Sequence, residues 1–262
     1  MVKKQTRNSS FDLLADQIID CSVTITCWIW FIFGFLLFFS WPYLIFARLS
    51  ENPEIHFQKL NSLFYRIFFR ILRVTAPRQR IEIDEQIAAI NSSVIVCNHL
   101  SYLDPLLLIS LLPRHKTIVK TQFFKAPIFG WIIKKSGYLP ATSKGPFSKI
   151  MIEQMETMGT YLKAGGNLFV FPEGTRSRNG QIGEFHMGAL KIARMYKAPV
   201  YILQIRNSDK LFTPGKFLFN TRIKNTISLK IIDRIKPDYQ KSPPSTAQLA
   251  RRVQQAYYEG KA

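Results

Sequence analysis

A histidine and an aspartate five residues apart, His99 and Asp104 in the stretch "NHLSYLD" (98–104), follow the β-branched run Ser93-Val94-Ile95-Val96-Cys97. Such a pair can supply a general base and the carboxylate that orients it. Within a helix, residues five apart are turned about 140° from one another, so these two meet only if the chain turns between them. Asn98, Ser101 and Asp104 all favour turns. Asp104 also has a plainer use. Ahead of Pro105 and "LLLISLL" it reads as the N-cap of a helix with proline at the first position. The two uses are compatible, because a cap residue is held rigidly. Given the histidine and aspartate content of the chain, this spacing arises by chance in roughly one chain in eight, so alone it decides little.

A second stretch, "FPEGTRS" (171–177), follows the apolar run "NLFVF" and offers Glu173, the turn Gly174-Thr175 and Arg176. A strand end that presents backbone N–H groups beside a guanidinium fork suits a phosphate. The plain alternative is a surface turn with a solvated arginine. A third, "KTQFFKAPIFGW" (120–131), adds Lys120, Pro127 and Gly130 after another apolar run.

These residues need a scaffold, and the chain beyond residue 80 supplies an α/β pattern. Strands are expected at 94–97, 117–119, 167–171, 200–205 and 227–232. Helices are expected near 105–112, 146–164, 186–196 and 245–258. Turn chemistry at Gly165-Gly166, Asn179-Gly180 and Pro243-Pro244 separates them. Alternation of this kind implies a mostly parallel sheet flanked by helices, with reactive residues at the carboxyl ends of the strands.

Ahead of residue 80 the chain has another character. From Cys21 to Ala47 no residue is charged, and the core reads "CWIWFIFGFLLFFSWPYLIF". That run is long enough to cross ~30 Å of hydrocarbon. Its length and the following Arg48 do not suit a cleaved signal peptide. Basic residues flank it on both sides (Lys3, Lys4, Arg7; Arg48, Lys59, Arg66), so the positive-inside rule assigns no orientation. Ser40-Trp41-Pro42 offers a place for the run to break into two arms that dip into one leaflet and return. Residues 55–73, "IHFQKLNSLFYRIFFRILR", alternate apolar and basic positions at helical spacing. That suits a helix lying on an anionic membrane, or one packed on the catalytic domain with its basic face in water. The division expected is a membrane-anchoring helical segment, 1–80, and a catalytic domain, 81–262.

Lys and Arg number 36 against 17 acidic residues, a net charge of +19, which favours an anionic partner. The basic residues are scattered, no nucleic-acid motif is present, and a long uncharged run has no use on DNA, so the expected anion is a membrane surface and not nucleic acid. The 3 cysteines are an odd number without C-x-x-C spacing, which points to a reducing compartment and to neither a disulfide framework nor a zinc site.

Together the motifs resemble those of the 1-acylglycerol-3-phosphate acyltransferases (lysophosphatidate acyltransferases), over roughly residues 85–215. Asn98-His99 and Asp104 match the N-H-x4-D block; Lys120, Pro127 and Gly130 match a second; "FPEGTRS" matches a third in full; Pro199-Val200 matches a fourth. The resemblance implies an enzyme in which His99 takes a proton from the acceptor's hydroxyl and Asp104 orients the imidazole. It implies that Glu173, Gly174, Thr175 and Arg176 position the acceptor phosphate, with Lys120 as a second cation. It also implies direct attack on an acyl thioester, from coenzyme A or acyl carrier protein, with no metal, no cofactor and no acyl-enzyme. A bacterial inner membrane with the catalytic domain on its cytoplasmic side is the location that fits. Two departures bear on the acceptor. Where the family places an arginine after the second block, this chain reads "GYLPATSKG", with Lys144 as a point charge that lacks the fork. His186, in "FHMGAL", stands where the family has another basic residue and reads as structural. The expected acceptor is lysophosphatidate at its sn-2 hydroxyl. Another lysophospholipid or a lyso-aminolipid is the alternative within the same chemistry, and a non-catalytic basic membrane-binding module is the alternative outside it.

Overall fold

A computed structural model describes residues 10–142, 145–176 and 186–260. The chain begins with one long helical rod: α1 (Ser10–Ile29), a π-helical stretch (Trp30–Phe39) and α2 (Ser40–Leu49). The rod does not break at Ser40-Trp41-Pro42. Proline lacks an amide hydrogen and crowds the carbonyl a turn earlier, and the wider π-helical turn directly ahead of Pro42 absorbs this. The 34 residues from Asp16 to Leu49 are long and apolar enough to cross a membrane by length and composition. Large apolar side chains stay exposed along them, among them Ile25, Leu37, Phe38, Trp41 and Ile45.

α3 (Pro53–Thr75) then returns along the rod. Its phenylalanines 57, 64, 68 and 69 are buried, while Lys59, Arg66, Arg70 and Arg73 are exposed. It packs on α4, the helix after the His-Asp turn, with its basic side chains on the outer face, an arrangement that both sequence readings share.

The remaining elements are β1 (Gln79–Ile83), β2 (Val94–Cys97), α4 (Leu103–Leu111), β3 (His115–Val119), α5 (Thr121–Phe124), α6 (Pro127–Lys135), β4 (Leu139–Pro140), α7 (Ser148–Lys163), β5 (Asn167–Val170), α8 (Gly188–Met195), β6 (Val200–Arg206), α9 (Ser208–Leu211), β7 (Asn225–Ile235) and α10 (Thr246–Glu259). Residue 80, the expected division between anchor and domain, lies inside β1. The seven strands form one sheet in the order β1-β7-β6-β2-β5-β3-β4. Every neighbouring pair is parallel except β6 with β7.

β2 lies at the centre and all four of its side chains are buried. Strand alternation sends Val94 and Val96 to a layer with α7, α8 and α10, and Ile95 and Cys97 to a layer with α3 and α4. Both faces are covered at the centre of the sheet, which is why β2 and β5 are buried along their whole length rather than alternating. Val23 and Cys27 of α1 belong to the second layer, so the rod is bonded to the domain through shared core.

A buried polar chain fastens α3 and α2 to β3. Tyr43 OH donates to Asn61 Oδ1 (2.6 Å), Asn61 Nδ2 donates to Tyr138 OH (3.2 Å), and Tyr138 OH donates to His115 Nε2 (2.5 Å). His115 Nδ1 donates to the Leu112 carbonyl (2.6 Å). Burial lowers the His115 pKa to about 4, so the ring is neutral and can accept. Beside it Lys116, only 1% exposed, meets Glu54 Oε1 at 3.0 Å. Burial lowers its pKa and Glu54 opposes the shift.

Candidate active site

The site forms where β2, β5 and β3 end side by side. Val96 pairs with Val170 and Thr117 with Phe169. Continuing that register sets His99 beside Glu173, with Lys120 one strand further, about 10 Å from β2 at ordinary strand spacing. Parallel strands leave all three positions at one edge of the sheet, as expected for this class of fold.

Asn98 is the first residue past β2, and its amide continues the sheet in place of a backbone. Nδ2 donates to the Ile205 carbonyl (2.9 Å) and Oδ1 accepts from the Ile205 N–H (2.8 Å). This pins the chain to β6 just before it turns. The turn then brings Asp104 back under His99: the imidazole Nδ1 lies 3.0 Å from Asp104 Oδ2. The same oxygen accepts the N–H groups of Leu100 (2.6 Å) and Ser101 (2.7 Å).

This corrects the expected cap. α4 begins at Leu103 with Tyr102 ahead of it, so Asp104 sits in the first turn. Its carboxylate reaches backward to the two amides of the preceding loop and not forward into the helix. The loop is thereby wrapped around one oxygen, and Asp104 is 0% exposed. Its other oxygen, Oδ1, has no hydrogen-bond partner among the described residues.

The His99 side chain is 16% exposed, and its ring stacks on Phe171 with centroids 4.3 Å apart and planes 26° apart. With Nδ1–H given to Asp104, Nε2 is the free acceptor. Such a dyad can take a proton from a hydroxyl and hold it as an imidazolium against the buried carboxylate. Cys97, directly below, does not compete as a nucleophile. Burial raises its pKa well above the ordinary thiol value, and Asp104 and Glu173 raise it further.

Glu173 is buried, and its Oε1 accepts the backbone N–H of His99 at 3.2 Å. The third motif therefore braces the first, a contact that no spacing in the sequence announces. Gly174 has a φ of +63°, and a Cβ there would lie 2.9 Å from the His186 ring. The positive φ favours glycine, while the exposed His186 ring could move aside for a Cβ. His186 donates its backbone N–H to the Pro172 carbonyl (2.7 Å), which sets its exposed ring over this turn. Thr175 is exposed, and so is Lys120 at the start of α5. Lys144 lies outside the described residues. At Gly130 a Cβ would stand 2.5 Å from the Phe124 carbonyl oxygen, so glycine lets α6 close on α5 behind Lys120.

Arg176 holds a position the sequence did not suggest. Its guanidinium carbon lies 3.5 Å over the Tyr102 ring centroid, Nη2 donates to the Tyr102 hydroxyl (2.8 Å), and Nη1 has no hydrogen-bond partner among the described residues. Tyr102 packs in turn near Phe212 (5.9 Å between centroids), and Ser101 Oγ donates to the Phe212 carbonyl (2.9 Å). Tyr102 is one of the unspecified positions between His99 and Asp104, so the same turn that forms the dyad also carries the arginine's platform. Two cavities, of about 770 Å³ between β7 and α10 and about 440 Å³ lined by Gln86, Asn91, Tyr201 and Arg234, contain none of these residues.

A family model described as Acyltransferase matches residues 78–206, from the start of β1 to the end of β6. A chloroplastic 1-acyl-sn-glycerol-3-phosphate acyltransferase of Brassica napus is 35% identical over 122 residues, 47% of this chain and 35% of that one, so this chain spans about a third of that relative's length. A probable 1-acyl-sn-glycerol-3-phosphate acyltransferase of Mycoplasma pneumoniae is 31% identical over 191 residues, 71% of this chain and 70% of that one. The crystal structure of the 1-acyl-sn-glycerophosphate acyltransferase PlsC of Thermotoga maritima superposes with a TM-score of 0.67 at 21% identity, covering 93% of this chain and 96% of that one. This last likeness concerns the fold.

Proposed function

The chain belongs to the 1-acyl-sn-glycerol-3-phosphate acyltransferase family, and from that premise we propose that it is a membrane-bound enzyme moving a fatty acyl group from an acyl thioester to the sn-2 hydroxyl of lysophosphatidate, giving phosphatidate. The observation that carries the reading is the His99–Asp104 contact of 3.0 Å, held by Asn98 and Glu173 at the carboxyl end of the central strand.

In this mechanism His99 Nε2 accepts the hydroxyl proton as the oxygen attacks the thioester carbonyl. The imidazolium is stabilised by Asp104. When the tetrahedral intermediate collapses, the C–S bond breaks and the thiolate leaves with the proton from His99. The high thiol pKa of Cys97 supports direct transfer over an acyl-enzyme. Arg176 meets the acceptor phosphate with its guanidinium, and that role is supported by Nη1, which has no hydrogen-bond partner among the described residues. Lys120 adds a second cation, needed because a phosphomonoester is near −2 at pH 7. Glu173 acts through the backbone of His99, since a carboxylate placed against a phosphate would repel it.

The exposed apolar side of the Asp16–Leu49 rod supports membrane attachment, and the basic outer face of α3 supports an anionic surface. The reading includes a bacterial inner membrane, with the domain on its cytoplasmic side where acyl-coenzyme A or acyl carrier protein is available. No cofactor or nucleic acid enters it.

The test is turnover by the full-length protein in anionic vesicles with each thioester donor, offering lysophosphatidate beside a zwitterionic lysophospholipid and a lyso-aminolipid. Phosphatidate is the expected product, with lysophosphatidate preferred. A preference for another acceptor refutes the headgroup assignment. Unchanged turnover in a folded His99→Ala protein refutes the dyad, because loss of a general base lowers the rate by about 10²–10⁴-fold.

A further inference from the structure

Asp20 stands at the edge of the uncharged run yet is only 3% exposed. Arg222 Nε lies 2.7 Å from its Oδ2, and both the N–H and the hydroxyl of Thr221 donate to Oδ1 (2.8 and 2.7 Å). One turn on, Thr24 Oγ1 accepts the Phe219 N–H (3.0 Å). Another turn on, the Trp28 ring stacks on Phe217, with centroids 5.8 Å apart and planes 9° apart. Residues 20, 24 and 28 share one helix face, so the segment 217–222 is laid along α1 by four successive contacts.

The segment is not thereby covered. Phe217 is 64% exposed and Leu218 is 40% exposed, as is Ile223. Lys216 and Lys224 flank them and are exposed as well. The apolar tip continues the outer surface of the rod, where Ile25, Trp28 and Ile29 of α1 and Ile32 of the π-helical stretch are exposed. A surface of large apolar residues bordered by lysines and joined to an apolar rod has the chemistry of an element seated in an anionic bilayer.

We propose that the loop between α9 and β7, residues 212–224, is a second membrane-seated element, in which Phe217 and Leu218 enter the acyl region beside Trp28 while Lys216 and Lys224 meet anionic headgroups. This rests on the reading of the rod as a lipid-embedded anchor. Trp28 stands eight residues beyond Asp20, about 12 Å along the helix axis, and a ring stacked on it shares its depth. The paired Asp20 can lie at this edge without an exposed charge.

The other end of the loop reaches the active site. The Phe219 and Phe212 rings are 4.8 Å apart, Phe212 contacts Tyr102, and the Phe212 carbonyl holds Ser101. Seating the tip in lipid therefore sets the height of the Tyr102–Arg176 platform above the bilayer, where the headgroup of an embedded acceptor arrives.

The test uses the full chain with Cys21→Ser, since Cys27 and Cys97 are buried. A single nitroxide is placed at Leu218→Cys, which leaves the Trp28–Phe217 stack intact, or at Leu37→Cys on the rod. Each protein is placed in dilute vesicles of phosphatidylcholine and phosphatidylglycerol, and collision with oxygen is compared with collision with a water-soluble nickel chelate. The expected result is oxygen preference at both sites, shallower at 218. Nickel access at 218 with oxygen preference at 37 overturns this inference alone. Nickel access at both sites overturns the anchor reading with it. A 218 label shielded from both reagents and broadened by a neighbouring label means a second copy covers the loop, which also overturns it. In parallel, Phe217→Ser/Leu218→Ser should raise KM for vesicle-borne acceptor about tenfold and leave turnover of a short-chain, water-soluble acceptor unchanged. An unaltered KM counts against the inference.

Discussion

Replacing Asp104 by asparagine tests the dyad most directly, because the change is nearly isosteric and the contacts it disturbs are all defined. The retained amide oxygen can stay where Oδ2 accepts from His99 Nδ1, Leu100 N and Ser101 N. The new NH₂ then falls at the Oδ1 position, which is buried and has no acceptor among the described residues. An unsatisfied buried donor costs about 1–3 kcal/mol, and the two amide bonds each lose up to about 1 kcal/mol when the acceptor becomes neutral. A fall in stability of about 3 kcal/mol follows. Catalysis loses a different quantity. The imidazolium formed during the reaction has charge centres roughly 4 Å apart from the carboxylate, worth about 4 kcal/mol at an effective dielectric constant of 20. The neutral hydrogen bond that remains returns about 1 kcal/mol. The net of about 3 kcal/mol predicts a fall in kcat of about 10²-fold, less than His99→Ala should give. Because Asp104 acts through His99, the double variant should be no slower than His99→Ala alone. Single-turnover rates on lysophosphatidate, with thermal unfolding recorded on each protein, supply the numbers. Multiplicative losses in the double variant, or normal turnover in a folded Asp104→Asn protein, would refute the reasoning.

Other outcomes follow from the same geometry. Arg176→Ala should mainly raise KM for lysophosphatidate and leave the thioester KM unchanged, as expected for lost uniform binding; Tyr102→Ala should reproduce part of that effect and Tyr102→Phe less of it, with initial-rate kinetics on both substrates as the readout. Asn98→Ala removes both bonds to Ile205 and should lower stability by about 2–3 kcal/mol while lowering kcat, measured by urea unfolding beside turnover. His115 binds its proton in the unfolded chain near pH 6.5 but only near pH 4 when folded; the unfolded state therefore holds more protons between these values, and stability present above pH 6.5 should fall by about 3 kcal/mol as pH drops toward 4. Unfolding midpoints from pH 7 to pH 4.5 check this, and His115→Gln should flatten the slope.

The five strands and four helices expected from the sequence are all present, because each follows from local chemistry: β-branched runs, helical periodicity, and glycine or proline at the boundaries. β4 and α5, of two and four residues, are too short to carry such a signal and form through pairing or packing with other parts of the chain, whereas β1 and α6 have a pattern that was not read: β1 alternates in burial, and α6 is amphipathic with Pro127 at its start. His99, Asp104 and Arg176 were legible as residue types able to do acid–base and phosphate chemistry, and the uncharged run from Cys21 to Ala47 was legible as a helix long and apolar enough to cross a membrane. Their arrangement was not. That Asp104 turns back to the amides of residues 100 and 101, that Glu173 braces the His99 backbone, and that Arg176 rests on Tyr102 all depend on contacts between residues up to 74 positions apart. The Asp20–Arg222 pair joins residues near the two ends of the described chain. Local sequence fixes which backbone shapes are cheap. Which strand ends become neighbours is decided by burying both faces of one sheet at once, a condition that only the complete fold meets.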